Sequence, residues 1–155
     1  MKYEKTKAVL NQAVADLSQL SALIHQTHWY MRGQGFLTQH PKMDSYRDAV
    51  EEQLDEISER LITLDGAPYS TLQEFAEHSK ITLKPTTYNV STKDRFEAIV
   101  TAFRYMLSLY QEGLDASSDE GDDVTNDIFV DGKAWFEKTI WMLQAELGLA
   151  PEIDK

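Results

Sequence analysis

Apolar residues recur along this chain in steps of three and four. Leu10, Ala13, Val14, Leu17, Leu20, Ile24 and Met31 fall on one helical face, and Gly33 and Gly35 follow as stop signals. A second stripe runs through Met43, Val50, Leu54, Ile57, Leu61 and Leu64, and Gly66-Ala67-Pro68 ends it. This helix is expected to begin near His40-Pro41, where a first-turn proline lacks only a donor that would be unpaired anyway. Both helices should run roughly 26 to 28 residues, about 40 Å at 1.5 Å per residue. A connection of about 25 residues follows, too long to be structureless in a compact domain. It contains Thr71 and Glu74 at capping-box spacing, which predicts a short helix from Leu72 to His78.

The third stripe carries Phe96, Ile99, Val100, Phe103, Met106, Leu107, Tyr110 and Leu114. The fourth carries Val124, Ile128, Phe129, Trp135, Phe136, Ile140, Leu143 and Leu147, with Gly148 and Pro151 as stops. There is no strand alternation and no internal repeat. The pattern predicts a single all-α domain over residues 1–155: a four-helix bundle with a short extra helix in the long connection between its second and third long helices.

Composition narrows the setting. The 155 residues include no cysteine, which removes disulfides, thiolate metal sites and thiol catalysis together. No apolar run approaches the roughly 20 residues that cross a membrane. The start, Met1-Lys2-Tyr3-Glu4-Lys5, has no apolar stretch behind its charges, so a cytoplasmic location is expected. The net charge of −11 repels nucleic acid phosphates and can concentrate cations.

Three of the four histidines, His25, His28 and His40, fall close together; the fourth is His78. A di-iron site inside one bundle needs Glu-x-x-His pairs. Here Ala22, His25, Leu37 and Phe75 stand three residues before the histidines, so that arrangement is disfavoured. His28 lies near the end of the first helix, while His40 and Asp44 open the second; together they suit iron, zinc or manganese. Asp55 and Glu59, four apart, share one face further along. His40, Asp44, Asp55 and Glu59 span about 100° of a single flank, yet Asp44 and Asp55 are separated by about 16 Å along the axis. No one ion bridges that gap within a chain. Either two weak half-sites exist, or a twofold mate reverses the helix and joins the halves, making two equivalent sites. The competing reading is a solvated face, since Glu51, Glu52 and Glu56 share that side.

The run His28-Trp29-Tyr30-Met31-Arg32-Gly33, then His40-Pro41-Lys42-Met43-Asp44 and Leu54-Asp55-Glu56-Ile57-Ser58-Glu59-Arg60-Leu61, resembles the Dps family of mini-ferritins. The streptococcal peroxide-resistance branch is the nearer likeness. Glu120-Gly121-Asp122, Thr125-Asn126-Asp127 and Ile140-Trp141-Met142 extend it over nearly the whole chain. The resemblance implies a ferritin-like four-helix bundle that assembles with itself into a hollow homododecamer. It further implies a ferroxidase that oxidises ferrous iron with hydrogen peroxide and stores ferric mineral. His28, His40 and Asp44 would come from one subunit, and Asp55 and Glu59 from its twofold mate, as catalytic and metal-holding residues. Trp29 would be a redox-active neighbour. Asp122, Asp127 and Asp131 would line pores that admit iron, although the acidic run from Asp115 to Asp131 also reads as a solvated turn with Asp caps. Two alternatives stay open: a shell that sequesters iron or zinc without turnover, and a bundle scaffold with structural histidines. Only Lys2, Lys5 and Lys7 precede the helical pattern, and with the overall acidity no significant DNA binding is expected.

Overall fold

Each of the four stripes coils into a long helix. The computed structural model describes residues 2–155, with α1 at Glu4–Tyr30, α2 at Phe36–Thr63, α3 at Leu72–His78, α4 at Thr92–Glu120 and α5 at Asp123–Glu146. The expected stripe residues, Val124 excepted, form one continuous core: Leu10, Leu17 and Ile24 of α1, Met43 and Ile57 of α2, Phe103 and Tyr110 of α4, and Phe129 and Phe136 of α5 are buried together, whereas Val124, in the first turn of α5, is exposed. Short turns make α1–α2 and α4–α5 antiparallel hairpins, which pack chiefly through α1 against α4. Two contacts give the relative direction. Glu120, at the end of α4, accepts from Lys5 N and Thr6 N at the start of α1. At the other end Thr92 Oγ1 donates to Arg32 O. The long connection therefore crosses the whole bundle, leaving α4 parallel to α2.

The crossover is pinned along α1. Asp16 is fully buried on a helix face otherwise read as apolar. Its carboxylate accepts from Gln12 Nε2 at 3.0 Å, Ser79 Oγ at 2.8 Å, Lys80 N at 2.7 Å and Tyr105 Oη at 2.5 Å. Burial first, then the Asp16 hydrogen bond and charge, push the Tyr105 phenol far above its ordinary range, so it remains the donor. The expected capping box is formed, with Thr71 Oγ1 accepting from Glu74 N.

One boundary differs from expectation. The second long helix starts at Phe36, not near His40, which puts Pro41 inside it. Gly35, at φ 86°, turns the chain in the left-handed region, and Gln39 N donates to its carbonyl at 2.8 Å, opening a turn earlier than the proline. Pro41 costs one donor to the Leu37 carbonyl, on a side where both residues are exposed. The α4–α5 contact is close because both helices present glycine. A Cβ on Gly132 would lie 2.4 Å from the Tyr110 ring, and one on Gly113 2.4 Å from Phe129.

Candidate metal centre

The short turn after Tyr30 folds the end of α1 back onto the start of α2, so His28 and His40 face each other. Their rings stack at 3.6 Å between centroids and 9° between planes. His28 Nδ1 meets His40 O at 2.6 Å, and His40 Nδ1 meets His28 O at 2.8 Å. A carbonyl only accepts, so each Nδ1 carries the proton and donates it. In the neutral form of either ring that leaves Nε2 unprotonated, the form that ligates a metal. His28 is buried, and its Nε2 lies 3.6 Å from Oδ1 of the half-exposed Asp44. Three of the five expected ligand residues are thus brought to one end of the α1–α2 hairpin.

Asp55 and Glu59 are not. Both are exposed further along α2, about 16 Å of helix beyond Asp44 for the nearer one. Among the described residues, no three histidine or carboxylate side chains converge closely enough to hold an ion by themselves. Trp29 is 62% exposed, and its ring lies against His25 at 3.7 Å. Burial, then the charges of Arg47 and His28, lower the proton affinity of His25, while Asp44 and Glu51 oppose them. His78 stands apart from this end, stacked on Tyr69 at 4.1 Å. Sequence reasoning passed over Arg47. Its signal was available: it is the single cation between Asp44 and Glu59.

The acidic segment divides into two roles. Asp122 is 2% exposed and caps α5, accepting from Thr125 N at 3.1 Å and from Arg60 Nη2 at 2.7 Å. It is spoken for inside the chain, whereas Asp127 and Asp131 lie exposed one turn apart on α5. Burial alone would raise the Asp122 pKa, but the Thr125 and Arg60 contacts together outweigh it and hold the carboxyl below its ordinary value. A depressed carboxyl contributes stability above its unfolded pKa of 3.8 and loses it as pH falls through the folded value. Asp122→Asn should therefore cost about 2 kcal/mol at neutral pH. It should also flatten the acid arm of the stability curve below about pH 4, read by denaturant unfolding across pH. An unchanged acid arm would remove this ion pair from the account.

The fold and this histidine–carboxylate end define a ferritin-like bundle, and residues 7–153 match the family model for the ferritin-like domain. The chain is 57% identical over 148 residues to the DNA protection during starvation protein of Streptococcus suis, covering 96% of this chain and 86% of that one. It is 42% identical over 146 residues to the protein of that name from Listeria innocua, covering 94% of each. A structure of Listeria innocua Dps soaked with cobalt superposes with a TM-score of 0.93, at 42% identity, covering 97% of this chain and 99% of that one. The chain belongs to the Dps family. No helix among the described residues is long and apolar enough to cross a membrane.

Proposed function

We propose that this protein is an iron-storage and detoxification protein whose ferroxidase centre is shared by two subunits. His28, His40 and Asp44 of one copy face Asp55 and Glu59 of its twofold mate, in a hollow homododecamer that stores ferric mineral in the cytoplasm. The observation that carries the reading is the reciprocal Nδ1–carbonyl pair. It orients two imidazoles for a metal beside Asp44, while among the described residues no three such side chains of one chain converge to complete a site. Family membership supports iron storage and protection under stress.

Ferrous iron is the substrate. The carboxylates offset its charge and the imidazoles hold it with positions left open to oxidant. Two ferrous ions give one electron each to hydrogen peroxide, whose O–O bond breaks; with two protons the products are two ferric ions and two waters. No hydroxyl radical leaves a paired reduction, and that is how DNA is protected without being bound. Lys5 and Lys7 have acidic neighbours, Asp119 at 4.0 Å and Glu4 at 3.6 Å, and the net charge of −11 opposes phosphates. Exposed Asp127 and Asp131 offer ferrous iron a negative approach, and Asp122 holds the turn that presents them. Trp29, exposed beside the centre, is the side chain placed to absorb a stray oxidising equivalent. Zinc suits the same imidazole and carboxylate set and competes for it.

The test is anaerobic ferrous loading of the purified oligomer, followed by half an equivalent of hydrogen peroxide per iron. Rapid ferric absorbance with little spin-trapped hydroxyl radical is expected, and no shift of duplex DNA at moderate salt. Metal bound without acceleration over free iron would replace the reading with passive sequestration.

A further inference from the structure

Arg47 is the one cation on the acidic stretch of α2, and its own chain does not satisfy it. Its Nε is buried without an acceptor among the described residues, and its nearest carboxylate is Asp48, at 3.9 Å. Arg47 lies within one turn of Asp44 on α2, and both, with Glu51, act electrostatically on His25. Glu51 is exposed; Ser21 Oγ donates to its Oε1 at 2.6 Å, leaving the other oxygen free.

The spacing of the ligands locates the missing partner. His40 and Glu59 have their midpoint between Ala49 and Val50, and so do Asp44 and Asp55. One twofold axis perpendicular to α2, passing beside it at that level, brings both pairs opposite each other at once, which two unrelated half-sites would have no reason to satisfy. Arg47 and Glu51 sit on either side of that midpoint, on one flank and about 40° apart. Reversing the helix about this axis brings Glu51 of a second copy within about 1.5 Å of Arg47 along the axis, on the same flank.

We propose that Arg47 is a positioning residue of the shared centre: its guanidinium pairs with Glu51 of a second copy and sets the register in which the two half-sites meet. This rests on the shared-site reading above. Two symmetric pairs form per axis, and each supplies the acceptor that Arg47 lacks within its own chain. The cation also separates acidic stretches that would otherwise repel across the twofold.

The experiment compares wild type with Arg47→Glu, Glu51→Arg and the double exchange, by sedimentation in the absence of iron. Each single variant places like charges opposite each other and should weaken subunit association at least about tenfold. The double variant restores opposite charge at both pairs and should recover association, and with it ferrous oxidation. Circular dichroism checks that the dissociated single variants keep their helices, since Glu51→Arg also removes the acceptor of buried Ser21. Wild-type association of Arg47→Glu, or a double variant as weak as the singles, would overturn the proposal. Because association is read without iron, either result leaves the ferroxidase reading standing. Conversely, a wild-type oligomer that fails to oxidise iron leaves the ion pair standing.

Discussion

His28→Ala and Asp55→Asn subunits, each inactive alone, should recover about one quarter of the wild-type oxidation rate when mixed at random in equal amounts. Each homodimer of either variant holds two defective centres. A mixed dimer holds one centre missing both residues and one missing neither, because the intact His28 and the intact Asp55 meet across the axis. Half of the dimers are mixed and half of their centres are whole. Each single variant should be slowed at least about 100-fold, since even loss of a ligand's outer partner costs 10- to 100-fold. The variants are dissociated, mixed and reassembled, with subunit exchange verified by mass, and then assayed by stopped-flow ferric absorbance. A centre built within one chain predicts no recovery, because every chain then carries one lesion. An exchanged mixture that stays inactive therefore rejects the shared site. A recovery well above a quarter would mean that the two residues do not serve the same centre.

The parts of this molecule that periodicity exposes are those where neighbours in sequence decide the outcome. The four stripes, the Thr71–Glu74 box and the glycine stops place four of the five helices within a few residues. The start of α2 lies about one turn before the position that Pro41 suggests, because the left-handed turn at Gly35 opens the helix first. At the candidate centre, ligand types and spacing were readable, and so was the need for a second chain. The tautomers were not, because they depend on carbonyls twelve residues away across the turn. Asp122 reads in sequence as a pore acid or as an Asp cap; the cap is formed, but the pairing with Arg60, 62 residues away, is not legible there. Asp16 was missed for the same reason. In sequence it is one of several polar residues of α1, and the four donors that single it out come from α1, the crossover and α4.

That makes Asp16 the residue on which stability should turn most sharply. Asp16→Ala removes the acceptor of Tyr105 Oη, Ser79 Oγ, Lys80 N and Gln12 Nε2 in a place that water does not reach. Stranded donors cost far more than the hydrogen bonds contributed, so a loss of about 3–5 kcal/mol is expected. At roughly 2–4 °C per kcal/mol for a chain of this size, the melting temperature should fall by about 10 °C. Asp16→Asn keeps the volume and one acceptor but turns an amide toward donors, and should fall between wild type and alanine. Tyr105→Phe removes one donor and leaves three in place, so about 1 kcal/mol is expected. Limited proteolysis within residues 79–91 should accelerate in the same order, because Asp16 is what holds the start of that segment to α1. Asp16 lies about three turns of α1 before His28, so protein that remains folded should oxidise iron at the wild-type rate. Loss of oxidation with unchanged melting would move Asp16 from the scaffold to the chemistry. Unchanged melting and unchanged cleavage together would mean that the crossover is held by its apolar contacts alone.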